Sequence, residues 1–130
     1  MKNDRIKIIY VDDVSFQLIS IKENLKNRYD IYPAISGAKL FRLLQRVTPD
    51  LILLDINMPD MDGYEIITRL KGDARYAKIP VVFISAKGKE ENVIKAMKLG
   101  AVDFLAKPLS IPRLIECVVK QVGPLAMFKF

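Results

Sequence analysis

Five apolar runs of strand length recur along the chain, and a stretch with helical periodicity follows each of them. The runs are IKIIYV (6–11), DIYPAI (30–35), LILLD (51–55), VVFIS (81–85) and AVDFL (101–105). The first, third and fourth are apolar on both faces, which is typical of parallel strands that are covered by helices on each side. The alternation therefore predicts a three-layer α/β fold of five strands and five helices.

The second run contains Pro33, which predicts where its strand lies in the sheet. A proline in a central strand removes a hydrogen bond of the ladder, so this strand should lie at an edge. The flavodoxin-like order 2-1-3-4-5 places it there, and right-handed crossovers then put the switch point between strands 1 and 3. We expect a doubly wound five-stranded parallel sheet that collects any ligand at the carboxyl ends of its strands.

The helical stretches predict which residues face the core. The expected buried stripes are Leu18, Ile21 and Leu25; Leu40, Leu44 and Val47; Val93 and Met97; and Leu114, Val118 and Val122. The pair Gly123 and Pro124 is expected to stop the last helix. We therefore assign residues 1–122 to one domain and residues 123–130 to a C-terminal tail or the start of a linker.

The composition excludes several kinds of chemistry and of partner. The chain has no histidine and a single cysteine, Cys117, which excludes Ser-His-Asp catalysis, the usual zinc sites and an internal disulfide, and favours a reducing compartment. The formal charge of +6 is carried by scattered residues, which favours a solvated basic face or an acidic protein partner over direct nucleic-acid binding. No signal peptide or membrane-length apolar run is present, so we expect a cytoplasmic protein without membrane contact.

Reactive side chains stand at the carboxyl ends of four predicted strands. They are Asp12 and Asp13 after strand 1, Asp55 at strand 3, Ser85 at strand 4 and Lys107 just after strand 5. Each has a structural explanation by itself, such as a helix cap for Asp13 or an exposed turn for Lys107. Because these strand ends are neighbours in the predicted order, the convergence of all five favours a functional site instead.

The charges of these side chains predict a metal ion and a reaction. Two carboxylates ~4 to 5 Å apart repel by roughly 3 to 4 kcal/mol at an effective dielectric constant of about 20, so three need more positive charge than Lys107 supplies. Mg²⁺ held by Asp12, Asp13 and Asp55 would supply it, since this ion prefers carboxylates, waters and phosphate oxygens. Asp55 could then attack phosphorus to give an acyl phosphate, with Ser85 binding the transferred group. Without a histidine as base, the donor should arrive activated, as a phosphorylated protein or a small phosphoramidate.

Four motifs, YVDDV, LLDINMPDMDG, FISA and AKP, occur in this order over nearly the whole chain. Together they resemble the receiver domains of two-component response regulators. The resemblance implies that Asp12 and Asp13 are the acidic pair, Asp55 the phosphoacceptor, Ser85 the switch hydroxyl and Lys107 the matching lysine.

The resemblance has further implications for the site. The backbone carbonyl of Asn57 would bind Mg²⁺ or Mn²⁺, the peptide bond between Lys107 and Pro108 would be cis, and Phe104 would be the switch aromatic. Asn57 and Lys87 flank the route of the attacking water in the family and would set the lifetime of the phosphoryl group.

The function that the resemblance implies is a signalling switch rather than an enzyme that turns over, although it assists its own phosphotransfer and dephosphorylation. A sensor histidine kinase or a phosphotransfer protein would phosphorylate Asp55. The surface of helix 4, strand 5 and helix 5 would then change and control an effector protein or a fused output domain. Asp60 and Asp62 are expected to shape the loop after strand 3 rather than bind metal.

Two alternatives stay open on the sequence. A phosphatase of the haloacid dehalogenase type also joins an aspartate nucleophile to Mg²⁺, a hydroxyl and a lysine, but it needs a second aspartate where this chain has Asn57. A pseudo-receiver would act as an unphosphorylated binding module, although the chain has every site residue that phosphorylation requires.

Overall fold

The computed structural model describes residues 5–86 and 90–126, and this part of the chain alternates five strands with five helices. The strands are β1 (Lys7–Val11), β2 (Asp30–Ala34), β3 (Leu51–Asp55), β4 (Val81–Ser85) and β5 (Asp103–Ala106). The helices are α1 (Ser15–Leu25), α2 (Gly37–Leu44), α3 (Gly63–Lys71), α4 (Glu90–Lys98) and α5 (Ile111–Ala126). All four strand pairs are parallel, in the order β2-β1-β3-β4-β5. The predicted doubly wound, flavodoxin-like fold is confirmed.

The edge strand β2 accommodates its proline without losing a bond to the neighbouring strand. The N–H of Asp30 donates to the carbonyl of Ile6 at 2.9 Å, and the carbonyl of Ala34 accepts from the N–H of Asp12 at 3.0 Å. Even-numbered residues of β2 therefore bond to β1, whereas Pro33 turns its nitrogen toward the open edge of the sheet. A proline there also discourages the addition of a strand from another chain.

The two faces of the sheet bury separate apolar layers. Helices α1 and α5 cover one face, and α2, α3 and α4 cover the other. Every residue of β3 and β4 is buried, as expected for central strands with helices on both sides. The carboxyl ends of β1, β3, β4 and β5 thus meet at one edge between two rigid layers.

Most of the predicted core stripes are buried. They are Leu18, Ile21 and Leu25 in α1, Leu40 and Leu44 in α2, and Leu114, Val118 and Val122 in α5. Val47 is only half-buried, because α2 ends at Leu44 and leaves Val47 beyond the helix.

The stripe predicted for α4 is wrong. Ala96 is fully buried there, whereas Val93 is half-buried and Met97 keeps 45% of its surface exposed. The small side chain of Ala96 lets α4 lie close to the sheet. The sequence prediction relied on large apolar residues and therefore did not identify Ala96 as the buried position. Two features end α4: Gly100 adopts a φ of 107°, and the N–H of Ala101 donates to the carbonyl of Ala96. As a result, β5 starts two residues later than predicted.

The last helix does not stop at Gly123 and Pro124 but continues to Ala126. Proline usually disfavours a helical conformation of the preceding residue by a clash with its Cβ, and Gly123 has no Cβ. Residues 127–130 of the predicted tail lie outside the described residues. Within the described residues, no helix is long and apolar enough to cross a bilayer.

Candidate functional site

Three carboxylates meet at the carboxyl ends of β1 and β3. One oxygen of each of Asp12, Asp13 and Asp55 lies within 4.8 Å of the others. Asp12 and Asp55 are buried, at 0% and 4% exposure, whereas Asp13 faces solvent. The strand order produces this arrangement, because β1 and β3 are adjacent and end at the same level of the sheet.

The ammonium of Lys107 lies between the two buried carboxylates. Its Nζ is 2.9 Å from Oδ2 of Asp12 and 3.2 Å from Oδ2 of Asp55. The peptide bond between Lys107 and Pro108 is cis, as the resemblance to receiver domains implied. One ammonium among three carboxylates leaves an excess of negative charge in the crevice.

The pKa values of the site follow from burial and these charges. Burial raises the pKa of Asp55, and the charge of Asp12 raises it further, against the lowering effects of Lys107 and of the N–H of Asn57. Burial alone would lower the pKa of Lys107, but its hydrogen bond to Asp12 and the charges of Asp55 and Asp12 outweigh that effect and raise it. Lys107 is therefore a cation at neutral pH, and further positive charge in the crevice would stabilise the ionised form of Asp55.

Tyr10 belongs to the site, and the sequence reasoning missed it. Its hydroxyl, fully buried, donates to Oδ2 of Asp12 at 2.8 Å, while Oδ1 of Asp12 accepts from the N–H of Val14 at 2.9 Å. Burial and the bond to Asp12 raise the pKa of Tyr10, so its hydroxyl remains a neutral donor. The sequence did contain a sign of this contact. Tyr10 and Asp12 are two residues apart in an extended segment and so share a face, and a buried tyrosine hydroxyl needs a hydrogen-bond partner.

The other predicted site residues surround the carboxylates. Ser85 lies at the end of β4 and is only 1% exposed. Its Oγ lies 3.5 Å from Nδ2 of Asn57, which is an exposed residue. Phe104 is partly buried against the layer under α2, α3 and α4. Lys87 lies outside the described residues.

The loop after β3 carries two more acids, and neither belongs to the carboxylate cluster. Asp62 caps α3 by accepting the N–H of Glu65 at 2.9 Å, and Asp60 adopts a φ of 68°. Asp62 thus shapes the start of α3, and Asp60 lies exposed in the loop. A Cβ on Gly63 would lie 2.8 Å from the carbonyl oxygen of Asp55, so glycine allows α3 to start against the end of β3.

The donor set fits a small, hard divalent cation. Three carboxylates close enough to share one ion, with the half-buried ammonium of Lys107 as counter-charge on one side only, match the oxygen ligands that Mg²⁺ prefers. The fold and this acidic crevice together define an α/β domain whose sheet carries a site suited to a cation at its carboxyl edge. The chain belongs to the response regulator receiver domain family, whose sequence pattern matches residues 8–119.

Individual relatives and one solved structure support this assignment. The chemotaxis protein CheY of Bacillus subtilis is 35% identical over 90% of this chain and 98% of its own length. A probable cyclic di-GMP phosphodiesterase of Vibrio cholerae is 39% identical over 82% of this chain, which spans only 24% of that protein. The signal receiver domain of a signal transduction histidine kinase from Syntrophus aciditrophicus superposes with a TM-score of 0.81, at 30% identity over 91% of this chain and 90% of that chain.

Proposed function

We propose that the chain is a phosphorylation-dependent signalling switch that accepts a phosphoryl group on Asp55. The observation that carries the proposal is the contact of Lys107 with both Asp12 and Asp55, beside Asp13. A buried carboxylate with an ammonium on one side and acidic groups on the other is suited to receive an anionic group together with a metal ion.

In the proposed reaction, Asp55 is the nucleophile. Lys107 donates to Oδ2 of Asp55 and so holds the carboxylate in place while one of its oxygens attacks phosphorus. A bond forms between that oxygen and phosphorus, and the bond from phosphorus to the imidazole nitrogen of a phosphohistidine donor breaks, with the electron pair leaving on that nitrogen. We propose a sensor histidine kinase or a phosphotransfer protein as this donor.

Four groups would hold the metal ion: the carboxylates of Asp12, Asp13 and Asp55 and the backbone carbonyl of Asn57. Mg²⁺ or Mn²⁺, when bound, supplies positive charge against the phosphoryl oxygens. Lys107 neutralises a further phosphoryl oxygen from the opposite side of the crevice.

The output would follow from a shift between two arrangements of the site. A phosphoryl group adds ~1.5 to 2 negative charges and new acceptor oxygens, which favour the state in which Ser85 donates its hydroxyl to them. Ser85 would then leave its position near Asn57, and Phe104 would turn with it. The changed surface of α4, β5 and α5 would control an effector protein or a fused output domain, while Asn57 and Lys87 would set the phosphoryl lifetime.

The test is intact-mass measurement after incubation with acetyl phosphate and Mg²⁺. We expect a single added mass of about 80 Da, that of one phosphoryl group, which EDTA prevents. Asp55→Asn should abolish it, whereas Asp60→Asn, a matched change in the loop outside the cluster, should keep it. Absence of the added mass under conditions that label another receiver would contradict the proposal, and sustained hydrolysis of phosphomonoesters would favour a phosphatase instead.

A further inference from the structure

A groove of about 540 Å³ crosses the edge strand between α1 and α2, apart from the acidic crevice. Its floor is apolar and includes Leu18, Ile19, Pro33, Ile35 and Leu43. Ile19 and Ile35 expose 62% and 50% of their surface, so apolar area is left open to solvent in this groove. A concave apolar surface of this kind marks a binding groove more often than an inert surface.

Four exposed cations surround this floor. Lys22 projects from α1, and Lys39, Arg42 and Arg46 follow one another along α2 and the turn after it. The spacing of three residues places Lys39 and Arg42 on one side of α2, and Arg46 follows in the turn after the helix. In the described part of the chain, none of the four forms an ion pair with a carboxylate.

Some cations elsewhere on the described surface have acidic neighbours, whereas others, such as Lys98 and Lys120, have no ion pair but do not line this groove. The exposed or partly exposed pairs are Arg5 with Asp30, Lys26 with Glu23, Arg69 with Glu65, and Arg75 with Asp73. The groove is distinguished by the combination of open apolar surface with four surrounding cations that form no ion pair among the described residues. A ligand that complements it must be both apolar and acidic.

We propose that this groove docks an acidic amphipathic helix of a partner protein. The apolar face of that helix would cover Ile19, Ile35 and Leu43, and its flanking Asp and Glu residues would meet the four cations. The 8 residues of α2 span about 12 Å, so roughly two turns of a partner helix would lie along it. A nucleic acid would satisfy the cations but leave the apolar floor uncovered, and a flat bilayer would not enter a concave groove.

Docking in this groove is separate from phosphorylation. The carbonyl of Ala34, on the groove floor, accepts the N–H of Asp12, so the two sites share a backbone contact but no side chain of the acidic cluster. The experiment therefore uses the full chain with Asp55→Asn, in which phosphorylation plays no part.

The probe is a synthetic 14-residue amphipathic helical peptide with leucines on one face and glutamates elsewhere, titrated while amide resonances are recorded by NMR. We expect saturable shifts confined to α1, β2 and α2. Arg42→Glu with Arg46→Glu should weaken binding by at least about tenfold, since it turns two attractive contacts into repulsive ones. Ile35→Ser should weaken it by about fivefold through lost apolar burial.

The matched control reverses two exposed cations elsewhere, Lys98→Glu with Lys120→Glu, which changes the net charge equally. This control should bind within about twofold of the parent. Equal losses in both double variants, or equal binding of a peptide with lysine in place of glutamate, would overturn the proposal. So would groove shifts produced by a DNA duplex or by vesicles of anionic lipid when the acidic peptide produces none. If Ile35→Ser does not fold, judged by amide dispersion, Ile19→Ser gives the same test.

Discussion

At the scale of single residues, Asp12 gathers most of the polar contacts at the carboxyl edge of the sheet. Tyr10 and Lys107 both donate to its Oδ2, and the N–H of Val14 donates to its Oδ1. Asp55, the proposed phosphoacceptor, has its side chain bonded to Lys107. Asp12 is thus held in place by three donors, while Asp55 accepts from Lys107 and from the N–H of Asn57. If Asp55 is the phosphoacceptor, as we propose, the donors to Asp12 preorganise the carboxylate beside it.

The first prediction concerns the hydroxyl of Tyr10. Tyr10→Phe removes a donor from a fully buried carboxylate and should lower the free energy of unfolding by about 1 to 3 kcal/mol, the usual range for a hydrogen bond to a charged group. Urea unfolding followed by circular dichroism measures it. The control is Tyr32→Phe, a half-buried tyrosine of β2, which should change stability by less than about 0.5 kcal/mol. Equal effects of the two changes would show that the bond to Asp12 contributes nothing.

The second prediction follows from the raised pKa of Asp55. A raised pKa means that the folded protein takes up this proton more readily than the unfolded chain, so the ionised carboxylate destabilises folding at neutral pH. Without metal, Asp55→Asn should therefore stabilise the protein at pH 7, because it removes the charge whose burial is unfavourable.

Unfolding experiments in EDTA across the acid range test this sign. The gain from Asp55→Asn should shrink as the pH falls through the raised pKa and disappear below the ordinary aspartate pKa of about 3.9, where both states are protonated. Asp60→Asn, at an exposed position, should give no comparable gain at any pH. A gain that grows in acid would contradict the assigned direction of the shift.

At the scale of elements, the sequence predicts strands better than the orientation of helices. Both faces of β3 and β4 are covered, so a continuous apolar run identifies them without further information. The orientation of α4 depends on Ala96, whose small size sets how closely the helix approaches the sheet. The continuation of α5 past Pro124 depends on the missing Cβ of Gly123. Contacts of this kind between elements are absent from a one-dimensional pattern.

The third prediction concerns the start of α3. Gly63→Ala places a Cβ 2.8 Å from the backbone of Asp55 and Ile56, which cannot move aside as a flexible side chain can. We expect a loss of about 2 to 4 kcal/mol in the free energy of unfolding, or a displaced β3 end with slower phosphorylation. Gly72→Ala is the control, since its Cβ would come no closer than 3.3 Å to the carbonyl of Thr68, and a loss below about 1 kcal/mol is expected. Thermal unfolding and initial labelling rates of both variants decide between these outcomes.

At the scale of the whole molecule, strand order turns separate sequence positions into one site. Lys107 reaches Asp12 across 95 residues of sequence, because β5, β4, β3 and β1 end at a common edge. The sequence predicted that these strand ends converge. Pro33 placed strand 2 at an edge, and the flavodoxin-like order with right-handed crossovers brought the ends of the other strands together. The bond from Tyr10 and the basic groove between α1 and α2 were not foreseen. Both depend on side chains that only the three-dimensional packing brings together.

The last prediction links the acidic crevice to the stability of the entire domain. An ion that binds the folded chain and not the unfolded one raises the free energy of unfolding by about 1.4 kcal/mol for each tenfold increase in concentration above its dissociation constant. Mg²⁺ should therefore raise the melting temperature progressively, while NaCl at matched ionic strength should not. Asp13→Asn should remove most of this effect without disturbing the core, because Asp13 is exposed, whereas Asp60→Asn should retain it. An equal response of parent and Asp13→Asn to Mg²⁺ would place the ion outside the three-carboxylate cluster.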